Sequence, residues 1–122
     1  MTRTNDQCML KIYHNPQCKK SRAGLQYLQQ KDLKFDTREY LKKRLTEKEL
    51  EQLLVKLNKN PIEIVRTQEE YYKKNLKGKK FNDHEWIKIL CENPKLIHRP
   101  IIEADYKAVI GDPVEKIDSV LK

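Results

Sequence analysis

The segment Ile12-Tyr13-His14-Asn15-Pro16-Gln17-Cys18-Lys19-Lys20-Ser21-Arg22 constrains the fold more than any other part of the chain. It reads as a short strand, a tight turn, and a cysteine that opens a helix. The first turn of a helix presents free backbone N–H groups and the positive end of the helix dipole. Lys19, Lys20 and Arg22 follow the cysteine and His14 precedes it. Such surroundings draw a thiol pKa below its free value of about 8.5. The same N–H groups can cradle an oxyanion. One loop thus offers a nucleophile and an anion site at the same point. A free cysteine is more commonly a small buried hydrophobe, but Cys18 has no apolar neighbour on its C-terminal side until Ala23. Cys91, within the apolar pattern of Trp86, Ile87, Ile89 and Leu90, reads as a core or half-buried residue. Cys8, in a polar N-terminal stretch, reads as incidental.

At 122 residues the chain fits one domain with a real core. Its three cysteines are far apart and odd in number, so they do not make a disulfide framework. No Cys/His spacing suggests zinc, and His84, Cys91 and His98 stand isolated; neither a metal nor a bound organic cofactor is expected. No apolar run is long enough to span a bilayer, and the first ten residues lack the apolar stretch of a signal peptide, so a cytoplasmic location is expected. The formal charge of +8 admits a nucleic acid, an acidic protein or a small anion as partner. The densest basic run is Lys73, Lys74, Lys77, Lys79 and Lys80, which reads more simply as a solvated loop than as a polyanion site. No nucleic-acid-binding signature is present.

Along the chain, Met9 to Tyr13 reads as a strand apolar on both faces, and Ser21 to Gln30 as a helix with Ala23, Leu25 and Leu28 on one face despite Gly24. Residues 34–41, with Phe35, Thr37 and Tyr40, read as a second strand. Thr46-Glu47-Lys48-Glu49 is a capping box for a helix bearing Leu50, Leu53, Leu54 and Leu57. Asn60-Pro61 starts a short helix, residues 69–75 look helical, and residues 76–81 look like a loop. Asn82 or Asp83 caps the helix carrying Trp86, which ends before Pro94. Ile101-Ile102 pairs with Ala108-Val109-Ile110 as a hairpin. Asp112 is then expected to cap a last helix, with Pro113 at its first position. The order β-α-β, several helices, then β-β-α predicts an α/β sandwich, with a helical insertion over residues 46–92 of a single domain.

This order, with a nucleophilic cysteine after the first strand, resembles the thioredoxin fold. More specifically the sequence resembles the glutaredoxin-dependent arsenate reductase family, which includes Spx-type regulators. Three stretches carry the resemblance: the loop from Ile12 to Arg22, Ile64-Val65-Arg66 followed by residues 69–72, and Leu96-Ile97-His98-Arg99-Pro100-Ile101, where His98 replaces the family's asparagine. The resemblance implies that Cys18 attacks arsenate, and that His14, Ser21 and Arg22 lie near it and favour the thiolate. It implies that Arg66 and Arg99 bind the oxyanion, that Pro100 is a cis-proline opposite the loop, and that glutathione and glutaredoxin complete the reduction. Ser21 leaves no Cys-x-x-Cys partner for Cys18, which fits a need for external thiols.

Ordinary alternatives stand beside these roles. Arg66 and Arg99 could be surface arginines paired with Glu69 or Glu103, and Arg66 is left open between the two. Family reductases usually carry a third arginine where this chain has Asp112. An acidic residue there would repel arsenate if it faced the site, so its expected role is the helix cap. The competing functions are an Spx-like protein that binds RNA polymerase, and a thiol-transfer protein without arsenate activity.

Overall fold

The structure, a computed structural model, describes residues 10–121; Met9 and Cys8 lie outside the described residues. Four strands form one sheet in the order β2-β1-β3-β4: β1 is Lys11–Tyr13, β2 is Asp36–Arg38, β3 is Ile101–Glu103 and β4 is Ala108–Ile110. β1 runs parallel to β2 and antiparallel to β3, and β3 and β4 form the expected hairpin. Alternation along the strands divides the core into two layers. Ile12 and Ile102 face one side, with Leu28 of helix α1 (Lys19–Gln30) and with Ile117 and Val120 of the C-terminal helical turns. Tyr13 and Ile101 face the other side, packed with helices α2 (Glu47–Leu57) and α3 (Asp83–Glu92). This is the thioredoxin-like α/β sandwich.

The two long helices after β2 start where the sequence says they should. The Thr46 side chain accepts from the Glu49 N–H and the Glu49 carboxylate accepts from the Thr46 N–H. Asn82 and Glu85 repeat the arrangement for α3. Each box satisfies two donors that the first turn leaves without helical partners.

Other boundaries differ from expectation. The second strand is three residues rather than eight, because β1 offers only three partners to its ladder. Beyond it the chain turns, and Arg38 fixes the turn by donating to the Lys43 and Arg44 carbonyls and to Glu49. On α1 the face turned inward is Ser21, Gly24 and Leu28, while Ala23 is exposed. The segment expected to be helical over residues 69–75 carries a π-helix at Tyr72–Leu76, reaching one residue into the expected loop.

The largest correction lies at the last helix. It is a 3-10 helix, Val114–Val120, whose N-cap is Pro113 and not Asp112, and the Asp112–Pro113 peptide is cis. Asp112 forms no cap because its carboxylate is held 3.0 Å from the Lys20 ammonium instead.

Candidate active site

Three chain segments meet at Cys18. The first is the loop between β1 and α1. His14 N–H donates to the Arg38 carbonyl (2.9 Å), which continues the β1–β2 pairing into the loop. Ser21 organises the rest of the loop. Its hydroxyl oxygen accepts from the Asn15 N–H (2.9 Å) and lies 2.7 Å from His14 Nδ1. All three residues are buried, so these bonds are made away from competing water. The Asn15 carboxamide oxygen accepts from the Gln17 N–H, and the Cys18 N–H donates to the Asn15 carbonyl. Cys18 emerges as the N-cap of α1 with an extended backbone, half-buried.

The second segment is the Arg99–Pro100 peptide, which is cis. Helix α1 reaches it through Gly24: a Cβ at that position would stand 2.7 Å from Pro100 Cγ. The glycine therefore allows the cysteine-bearing helix to lie directly on the proline ring. Arg99 is held by nearby backbone, Nη1 donating to the Lys95 carbonyl at 2.9 Å. It does not pair with Glu103, which is bound to Tyr13 and Lys56.

The third segment brings Arg66 alongside. Val65 and Ile97 form an isolated antiparallel bridge, with the Arg66 N–H on the Leu96 carbonyl (2.6 Å) and the His98 N–H on the Ile64 carbonyl (2.9 Å). Two arginines 33 positions apart are thus fixed to neighbouring backbone. Arg66 also pairs with Glu69, the partner that an ordinary surface arginine would have.

These segments line a cavity of about 570 Å³ that includes Cys18, Lys20, Arg66, His98, Arg99 and Asp112. Burial pushes the Cys18 thiol up, but the Arg99 guanidinium and the N–H groups of Ser21 and Lys20 outweigh it. The thiol falls below its ordinary value. His14 moves the same way for a different reason. Burial lowers it more than Glu39 and Ser21 raise it, so at neutral pH the ring is uncharged and contributes a hydrogen bond rather than a cation. Arg22 does not line the cavity: its Nη1 donates to the Pro16 carbonyl (2.9 Å), bracing the loop from outside. Among the three cations that follow Cys18, Lys20 is the one that lines the cavity.

Two residues join the site that local sequence does not single out for it. His98 lines the cavity and is held neutral by burial and by the nearby charges of Arg66, Lys20 and Arg99. Its position directly before Arg99-Pro100 is the available signal. Tyr40 reads in the sequence as a strand marker. It is 1% exposed, and its hydroxyl lies near Arg99 without a hydrogen-bond partner. Burial first, and the thiolate of Cys18 among the nearby charges, push that phenol up to about 12. The Arg99 Nε–H is likewise buried and unpartnered. Among the described residues no group of three or more His, Cys, Asp or Glu could hold a metal ion, and no helix is long and apolar enough to cross a membrane.

Known proteins are similar to this chain over most of its length. A solved arsenate reductase from Vibrio cholerae superposes with a TM-score of 0.87 at 34% identity, covering 93% of this chain and 98% of its own. An arsenate reductase of Haemophilus influenzae is 37% identical over 112 residues, 90% of this chain and 97% of that protein. A global transcriptional regulator Spx of Staphylococcus epidermidis is 28% identical over 104 residues, 84% of this chain and 79% of that protein. The sequence profile of the ArsC family matches residues 13–120, which take in the Cys18 loop, both arginines and Pro100. With the cysteine loop, the arginine pair and the cis-proline on one scaffold, and with reductases similar over nearly its whole length, this chain belongs to the ArsC family.

Proposed function

We propose that the protein is an arsenate reductase in which Cys18 is the nucleophile and external thiols, glutathione with glutaredoxin, complete the reaction. The observation that carries this reading is a thiol drawn below its ordinary value inside a cavity that also holds Arg66 and Arg99. Arsenate is an anion, and a thiolate approaching it meets repulsion. Guanidinium groups offset that repulsion and match two oxyanion oxygens at once, which an ammonium cannot do. Preorganised donors of this kind stabilise the charge that builds up as sulfur attacks.

The Cys18 thiolate forms a sulfur–arsenic bond, and an arsenate oxygen leaves as water after taking protons from solvent. Arsenic is still pentavalent at this stage. A second thiol then supplies the other sulfur. The two sulfurs end as a disulfide, giving up two electrons, and arsenic takes them and leaves as arsenite. A further thiol reopens the disulfide and restores Cys18. The second sulfur does not come from Ser21, which carries a hydroxyl. Nor is Cys91 placed for it: that thiol does not line the cavity and burial holds it near 11. Among the described residues neither supplies that sulfur, and an external thiol is taken as the donor. His14, Ser21 and Arg22 hold the loop in shape, and Arg66 and Arg99 bind the oxyanion.

The test is arsenate-dependent oxidation of NADPH in the presence of glutathione, glutathione reductase and glutaredoxin, for the wild type and Cys18→Ser. Turnover that disappears with the substitution supports the reading. No arsenate turnover from a wild type whose Cys18 still reacts rapidly at neutral pH overturns it. That result would favour the thiol-transfer reading, whose support is the carboxylate of Asp112 in the cavity wall. The regulator reading draws on the Spx relative and the basic surface. RNA polymerase retained by the immobilised protein would favour it.

A further inference from the structure

The cavity beside Cys18 is cationic, with Lys20, Lys59, Arg66, Arg99 and Lys107 in its wall, yet Asp112 stands among them. Its position is fixed. The Gly111 N–H donates to the Pro100 carbonyl at 2.8 Å, so the backbone leading to Asp112 is tied to the same cis-proline segment that presents Arg99. Gly111 packs closely on the core beneath it, where a Cβ would lie 2.7 Å from Ile102 Cδ1. From this anchored point the carboxylate reaches the Lys20 ammonium at 3.0 Å. Lys20 is the second residue after the nucleophile, and its N–H is one of the groups that lower the Cys18 thiol. The pair therefore joins the two walls of the cavity, one from the helix of Cys18 and one from the strand end beside Arg99.

An ion pair this exposed, with side chains 63% and 41% accessible, adds little to stability. Its effect on a ligand is another matter. Asp112 neutralises Lys20, a cavity lysine two residues from the nucleophile, and adds a negative charge to the wall, so both effects disfavour an incoming anion. Coulomb energy is proportional to ligand charge. A dianion is therefore penalised about twice as much, in free energy, as a monoanion of the same shape.

We infer that Asp112, paired with Lys20, is a specificity-determining residue that tilts the Cys18 cavity away from doubly charged tetrahedral oxyanions and toward singly charged ones. This deepens the proposed function, on which it rests for the arsenic oxyanion but not for the selectivity itself. For arsenate it implies that the monoanion is the form favoured by this chain.

The experiment measures how well sulfate and perchlorate, tetrahedral anions of charge two and one, protect Cys18 from iodoacetamide at constant ionic strength. Modification is followed on the Cys18 peptide by mass spectrometry, so no turnover is needed. Asp112→Asn should tighten sulfate about tenfold and perchlorate about threefold, the square root expected when the charge is halved. Lys20→Met should weaken both anions with the same ordering, and the double variant should return toward wild type. Equal changes for the two anions, or no change with Asp112→Asn, would overturn the inference. Thermal melts verify that each variant is folded. If arsenate supports no turnover in any variant while the sulfate and perchlorate responses differ as stated, the charge filter stands and the reductase reading falls.

Discussion

Cys18 and Cys91 are both free, both half-buried and both carried on helices. Burial pushes each thiol up, and it is the leading influence on each. What separates them is the end of the helix they occupy. Cys18 is the N-cap of α1, beside open N–H groups and Arg99, and these reverse the effect of burial. Cys91 lies in the last turn of α3, at the negative end of that helix, facing Glu47, Glu49 and Glu92, and its thiol rises to about 11. Similar burial thus goes with a lowered thiol in one place and a raised one in the other. The neighbourhood of charge decides, as it does for cysteine reactivity in general.

The comparison breaks first at the nucleophile. Cys18→Ser is expected to abolish arsenate-dependent turnover, and Cys91 will not substitute for it. At pH 7.5 only roughly one Cys91 in several thousand is ionised, given a thiol near 11. Alkylation of the two peptides across pH shows the sign directly. The Cys18 rate should level off at a lower pH than that of an ordinary thiol and fall only below its depressed pKa. The Cys91 rate should climb about tenfold per pH unit from neutrality until it approaches its own raised pKa. Equal rates for the two cysteines at pH 7 would end the comparison.

Arg99→Gln comes next. The substitution keeps a planar amide but removes the charge that offsets burial at Cys18. The Cys18 profile should shift toward higher pH, while that of Cys91 stays in place. Loss of one oxyanion donor costs about 100-fold in rate where such donors have been removed elsewhere, and kcat/KM should fall by a similar factor. A fall of less than about threefold would move the oxyanion role to Arg66.

Gly24→Ala tests the contact beneath the site. Alanine in place of glycine in a helix is favourable by up to about 1 kcal/mol. Against this stands a Cβ placed 2.7 Å from the Pro100 ring, which is no flexible side-chain end. Overpacking of this kind costs about 1–3 kcal/mol, so the clash wins and the melting temperature should drop. The strain falls between Cys18 and Arg99, so turnover should fall several-fold as well. A variant more stable than wild type would show that the helix can step back from the proline.

Much of this is legible in local sequence because local chemistry determines it. Thr46 with Glu49, and Asn82 with Glu85, set their helix starts within four residues. The turn of residues 14–18 is closed by Asn15 and Ser21 within the segment that announces it. Distant contacts determine the features that local sequence misses. The length of β2 depends on β1, which ends at Tyr13. Gly24 resembles a tolerated defect in a helix, and only its distant partner Pro100 explains it. The Asp-Pro pattern before the last helix resembles a cap, but the carboxylate answers a lysine 92 positions earlier in the chain. The arginines are visible in their motifs, yet their proximity comes from the Val65–Ile97 bridge, which no periodicity announces.

Tyr40→Phe is the smallest and most discriminating of these changes. The ring fills the core and remains; only a buried hydroxyl without a partner is removed. Leaving such a group unsatisfied costs about 1–3 kcal/mol, so on packing grounds alone phenylalanine should stabilise the fold. The hydroxyl nonetheless lies near Arg99 and within the electrostatic reach of Cys18 and Arg66, and the Arg99 Nε–H close by is equally unpaired. An arginine that shifts toward a bound anion would find in that oxygen a further acceptor beside the Lys95 carbonyl. Tyr40→Phe should therefore raise the melting temperature slightly, leave Cys91 unchanged, and weaken protection of Cys18 by an anion about threefold, the scale of a single modest hydrogen bond. Higher stability with unchanged anion protection would make the hydroxyl an unrelieved cost of the core. A joint rise in stability and loss of anion affinity would make Tyr40 a positioning residue for Arg99, and the difference between the two cysteines would then extend one layer deeper than the charges that touch the sulfur.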